Sequence, residues 1–208
     1  IIALMPFLNR AIFRMPIEMF DTLEEVNDLE DAPTAQYIAT DGKKVFCDPE
    51  FVLSSFKEDR AILPRYYIHM IFHCLFFHPF QYDKLDYELW DFASDLAVEK
   101  TVLELKFKDL ELPDDTKKRA FLNRVKEHVD VFTAENLYNF YKTNKETAKE
   151  DLVMFDLFRE DDHSIWATCD HIKGKQRMSN RRDLDGRNNY SIEEWKQIGK
   201  TIQLHVES

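Results

Sequence analysis

Apolar residues along this chain recur at helical spacing over most of its length, with one interruption where the period shortens to that of a hairpin. Apolar stretches at 1–8 and 12–20 are broken by Pro6 and Pro16, so two short helices are expected there rather than one long one. Between Thr34 and Cys47, Asp41-Gly42 stands between two β-prone segments, which predicts a hairpin with strands near 35–39 and 44–47. Asp48-Pro49 then turns the chain into a helix near 50–57. The run from 62 to 77 reads as a strongly apolar helix that stops before Pro79.

A second strong helix is expected over 87–106. Its apolar face runs through Leu89, Phe92, Ala93, Leu96 and Leu103, and the opposing stripe holds Asp91, Asp95 and Glu99. Further helices are expected near 116–129, 134–142 (Thr133 as N-cap) and 147–159. Residues 173–190, rich in Gly, Asn, Arg and Lys, read as an exposed loop. A final amphipathic helix over 191–205 carries Ile192, Trp195, Ile198 and Ile202. The pattern is mostly helical with one hairpin, without internal repeats, and fits a single domain over 1–208.

Composition narrows the partners. Of the 208 residues 44% are hydrophobic and 32% charged, a globular balance that can bury a core. The net charge of −11 argues against nucleic acid or an anionic membrane, either of which needs a basic face. Cys47, Cys74 and Cys169 cannot all pair and show no CxxC spacing, which suits a reducing cytoplasm. No membrane span and no signal-peptide layout is evident. The Ile1 start and the Ser208 stop suggest a segment of a longer protein.

The chemistry concentrates in the 62–77 helix. His69 and His73 are one helical turn apart, so their imidazoles share a face and can hold one metal ion. Zinc peptidases use His-Glu-x-x-His, where the Glu is general base on the metal-bound water. Here that position is Met70, whose thioether takes no proton at neutral pH. Such pairs also arise by chance, as core histidines satisfied by hydrogen bonds. Asp95, 22 residues after His73, is a candidate third ligand, although alone its stripe reads as a solvated helix face. His78, about 140° round the helix from His73, fits a helix cap or an outer partner better than a ligand. Asp161-Asp162-His163-Ser-Ile-Trp166 is a dense polar cluster in which His163 reads either as a ligand or orienting group, or as part of an exposed turn.

Taken in succession, Thr40-Asp41-Gly42, His69-Met-Ile-Phe-His73-Cys-Leu-Phe-Phe-His78-Pro79, Trp90-Asp-Phe-Ala-Ser-Asp95-Leu-Ala-Val-Glu99 and Asp161-Asp-His163-Ser-Ile-Trp166 resemble the motifs of a known family. It is the N-terminal metallopeptidase-like domain of bacterial proteins that carry a von Willebrand factor A-like domain after it. The resemblance covers about 1–205. It implies an α+β, mostly helical, zincin-like domain with a small β-hairpin packed on a helical bundle. It also implies His69 and His73 as ligands of Zn²⁺, with Asp95 as the candidate third; His78, His163 and Asp162 remain, from the reading of the residues, outer partners or alternative ligands. A downstream module and a protein partner, an AAA-type ATPase, are implied as well. The chain departs from the family pattern at Met70, at Asp91 and at Glu99, the last two standing where the family carries Asn.

Three readings follow. The preferred one is a catalytically impaired metallopeptidase-like domain, with Met70, Phe72, Phe76 and Phe77 in an apolar pocket at the site. The second is an active zinc hydrolase with Glu99 as a substitute base. The third is a metal-free acidic interaction module.

Overall fold

A computed structural model describes residues 8–19, 37–81, 86–168 and 192–206. The expected loop at 173–190 and the helix at 1–7 lie outside these residues. Along the chain run α1 (Asn9–Arg14), β1 (Ile17–Met19), β2 (Ile38–Thr40), β3 (Val45–Cys47), α2 (Pro49–Glu58), α3 (Ile62–Leu75) and α4 (Tyr87–Glu104). Then follow α5 (Asp115–Lys126), α6 (Ala134–Thr143), α7 (Lys145–Leu152), α8 (Phe155–Phe158) and α9 (Ile192–Val206). The architecture is α+β and mostly helical, with one three-stranded sheet among the described residues.

The hairpin forms where Asp41-Gly42 predicts it. β2 pairs antiparallel with β3, Thr40 opposite Val45. The Asp41 carboxylate accepts from the Lys43 and Lys44 amides, and Thr40 Oγ1 accepts from Gly42 N while donating to the Lys44 carbonyl. Gly42 has φ +79°, and a Cβ there would lie 2.6 Å from Phe80 Cζ. Its carbonyl accepts from Trp195 Nε1 at 2.8 Å, tying α9 to the hairpin.

Three expectations need correction. The helix expected at 12–20 stops at Arg14, because Pro16 cannot continue it, and 17–19 pair in parallel with β3 as an edge strand. The helix expected at 147–159 divides into α7 and α8. That break lets Phe155 and Phe158 pack on Phe92 and Phe121 while Val153 faces solvent. Finally, α3 ends at Leu75. Phe77 takes a left-handed conformation (φ 65°) and a 3₁₀ turn over His78–Phe80 follows.

The central pair is α3 and α4, and three apolar clusters fix it. Met70, Ile71 and Cys74 of α3 pack on Ile38, Val45 and Cys47 of the sheet and on Trp195 and Ile198 of α9. Ile68 and Phe72 meet Val98 and Val102 of α4 and Leu110. The other side of α4, with Phe92, Ala93 and Leu96, packs on Leu137 and Tyr141 of α6 and on Trp166. Apolar contacts on so many sides leave α4 no broad face to water. The stripe Asp91, Asp95, Glu99, read from sequence as a solvated face, instead turns inward, with Asp95 and Glu99 fully buried.

Candidate metal centre

Residues 65, 69 and 73 of α3 are each one turn apart and form a stripe, as do 91, 95 and 99 of α4. The two stripes face each other, Arg65 and His69 against Glu99, His69 and His73 against Asp95. A third segment, 160–163, closes the gap. Asp162 N donates to the Ile38 carbonyl, making an isolated bridge between Ala39 and Asp162 at the edge of the sheet. In extended chain neighbours alternate, so Asp161 and His163 turn inward together, while Asp162 turns away and caps Ser164 N.

Five side chains thus offer ligand atoms within 4.8 Å of one another: His69, His73, Asp95, Asp161 and His163, all buried. Asp95 Oδ1 lies 3.2 Å from His69 Nε2, 3.2 Å from His73 Nε2 and 3.3 Å from His163 Nε2. Asp161 Oδ1 lies 3.1 Å from His163 Nε2 and 3.4 Å from His69 Nε2. The two helix histidines approach to 2.7 Å, Nε2 to Nε2. Donors sharing one zinc-sized ion, each about 2.0–2.2 Å from it, stand about 2.9–3.4 Å apart; the carboxylate–histidine distances above fall in that range, while the histidine pair is closer and His73 Nε2 to Asp161 Oδ1, at 3.9 Å, is wider. The second oxygens of Asp95 and Asp161 are buried and accept no hydrogen bond among the described residues, which also fits a carboxylate pair meant for a cation.

The opposite nitrogen of each histidine is held. His69 Nδ1 meets Glu99 Oε1 at 2.9 Å, His73 Nδ1 meets His78 Nδ1 at 3.0 Å, and His163 Nδ1 meets Asp91 Oδ1 at 3.2 Å. Outer partners of this kind fix ring orientation and tautomer around metals. His163 is also stacked on Trp166, centroids 3.6 Å apart. Glu99 in turn receives Arg65 Nη2 and Lys118 Nζ (3.0 Å), and Lys118 also bonds Glu160. His69, Glu99 and Glu160 form a second potential ligand group, but Arg65 and Lys118 already supply positive charge there. A second ion would meet those two cations.

Charge within the cluster follows from these contacts. Burial alone would lower the His69 pKa, but hydrogen bonds to Asp95 and Glu99 outweigh it and raise it to about 10. His163, equally buried, is raised well above its usual value by Asp95, Asp161 and Asp91. His73 and His78 go the other way, burial and the neighbouring histidines lowering both, His78 to about 3. Burial lifts Asp95 to about 6 against the pull of His163 and His69. Glu99 stays ionised, since Lys118, His69 and Arg65 overcome its desolvation.

Of the residues singled out from sequence, His69, His73, Asp95 and His163 come together, with His78 behind His73. Asp162 does not join them. Glu99 lies at the far nitrogen of His69, away from the converging donors. Met70 is fully buried against the sheet and α9, and Phe72 faces α4 with the Phe76 ring 5.6 Å away, so the expected common apolar pocket is divided between two cores. Asp161 was missed, and the two-residue spacing Asp-x-His in an extended segment is the signal that would have found it.

In comparisons with known proteins, residues 18–182 match the model of a family described as "putative metallopeptidase domain". No curated protein and no solved structure matches the chain.

Proposed function

The chain belongs to this putative metallopeptidase domain family, and we propose that it holds one divalent transition metal, Zn²⁺ by preference, as a structural centre without hydrolysing peptides. The observation that carries the reading is the closed donor set. Catalytic zinc sites use three protein ligands and keep a position for water, whereas structural sites are fully ligated by protein. Here five donors converge and none of the five side chains is more than 5% exposed. The position that carries the general base in His-Glu-x-x-His is Met70, seated in apolar core. Glu99 is a poor substitute, its carboxylate being occupied by His69, Arg65 and Lys118.

When bound, the metal would cross-link α3, α4 and the 160–163 segment. His69, His73 and His163 would ligate as neutral imidazoles, while Glu99, His78 and Asp91 keep their Nε2 atoms pointed inward. The domain's role would then be exercised through a protein partner, the AAA-type ATPase class implied by the resemblance being the one to test.

One observation favours a metal-free reading. Protonated His69 and His163 would neutralise Asp95 and Asp161 without an ion. Thermal unfolding separates the two. Metal at 100 times its dissociation constant adds about 2.7 kcal/mol of stability, so chelation lowers the midpoint of a metal-holding domain and leaves a metal-free one unchanged. The same protein, given zinc and a peptide library, is expected to cleave nothing. Cleavage abolished by both chelation and His69→Ala would overturn the non-hydrolytic assignment.

A further inference from the structure

Zinc held for structure is almost always bound by four protein donors in a tetrahedron. The cluster offers five, three imidazoles and two carboxylates, one more than that geometry uses. Spacing and partners both single out the extra one.

Four of the donors make a set by themselves. Asp95 Oδ1 is nearly equidistant from the three rings, 3.2 Å from His69 Nε2, 3.2 Å from His73 Nε2 and 3.3 Å from His163 Nε2. Asp161 Oδ1 is placed differently, 3.1 Å from His163 and 3.4 Å from His69 but 3.9 Å from His73. With bonds of about 2.1 Å, four tetrahedral donors are all about 3.4 Å apart, whereas among five some pairs must open towards about 4.2 Å. His73 and Asp161 form the wide pair that a fifth donor brings.

Partners give the second argument. Asp161 is 5% exposed, and its side-chain contacts among the described residues are with His163, His69 and His73. Its Oδ2 accepts no hydrogen bond there. An imidazole that ligates through Nε2 has no proton at that atom to donate. Once the three rings hold an ion, Asp161 has no donor for either oxygen, and a buried carboxylate in that state is costly. The ion is the partner that removes the cost. Nor is the segment free to withdraw. Asp162 N is bonded to the Ile38 carbonyl, and Phe158 on one side and Ile165 and Trp166 on the other are at most 1% exposed. Charge agrees, since two carboxylates cancel a divalent ion in a buried site and Asp95 alone would not.

We infer that Asp161 is the fifth ligand and sets the coordination number of the ion. It thereby opens the site to ions that favour more than four nitrogen and oxygen donors, such as Mn²⁺, as well as to Zn²⁺. The inference rests on the reading above that the cluster holds a metal.

The test is Co²⁺ loaded into the full chain, whose visible absorption is weak with five ligands and several-fold stronger in a tetrahedron. The unaltered chain is expected to give the weak spectrum. Asp161→Leu keeps the branched shape of the side chain, leaves no room for a water and removes the donor. It should still bind one cobalt, with absorption several-fold stronger, and should lose Mn²⁺ at concentrations that saturate the unaltered chain. Asp161→Asn, which retains an oxygen, should keep the weak spectrum and bind cobalt less tightly. An intense tetrahedral spectrum from the unaltered chain would overturn the inference, and needs no variant to fold. So would unchanged absorption in cobalt-loaded Asp161→Leu, or Mn²⁺ bound as well by that variant. Each of these outcomes leaves the metal reading standing, whereas an unaltered chain that takes up neither cobalt nor zinc overturns both.

Discussion

On the proposed reading, Met70 is the residue that separates this chain from a hydrolytic His-Glu-x-x-His site. The side chain has no exposed surface and sits among Ile38, Val45, Cys74 and Trp195. A carboxylate there would be buried without a partner, so Met70→Glu is expected to cost about 3 kcal/mol or more in chemical denaturation. A variant as stable as the parent would contradict that placement. Asp91 tests the outer ring of contacts with less risk, being partly exposed, with its Oδ1 in charge contact 3.2 Å from His163 Nδ1. Asp91→Asn should weaken metal binding about tenfold in a competition titration, with little change in the fold. The sequence made the His69/His73 pair legible because a four-residue spacing on a helix has one geometric meaning. Asp161 was not legible, since nothing local says which of two adjacent aspartates points inward until the bridge to Ala39 sets the alternation.

At the scale of elements, the hairpin and the major helices follow from turn chemistry and apolar spacing, because both act within a few residues. The stripe on α4 shows where that logic stops. Three acids one turn apart normally face water, and only the arrival of Arg65, Lys118, His69 and His163 from other elements makes their burial tolerable. No window of sequence around α4 contains those partners. The edge strand β1 is a similar case, formed by pairing with β3 that lies far along the chain. Gly42 holds the hairpin under Phe80 and accepts from Trp195, and its φ of +79° favours glycine. Gly42→Ala should therefore destabilise by about 1–3 kcal/mol, read as a lower midpoint in urea. An unchanged midpoint would mean that the hairpin and α9 are not locked in this way.

For the whole molecule, the cluster links folding, protons and metal. In the metal-free protein His69 has a folded pKa raised to about 10 against an ordinary value of 6.5. Its contribution to stability is complete below about pH 6.5 and is lost as pH rises towards 10. Metal binding requires neutral imidazoles, so loading must displace the protons on His69 and His163, both raised. On the order of two protons should be released per ion near neutral pH, and affinity should rise with pH. Calorimetry in buffers of different ionisation enthalpy measures this release, and an uptake of protons would contradict the charge assignment. The family match covers 18–182, and Met70, Asp91 and Glu99 all lie within it. On the proposed reading, a chain with this donor set and a methionine in place of the base holds a metal without activating water.

Elemental analysis of protein purified without a histidine tag, with His69→Ala beside it, tests this most directly. The account predicts about one divalent transition-metal ion per chain, absent from the variant. Protein that carries no metal, even after zinc is offered, would contradict it.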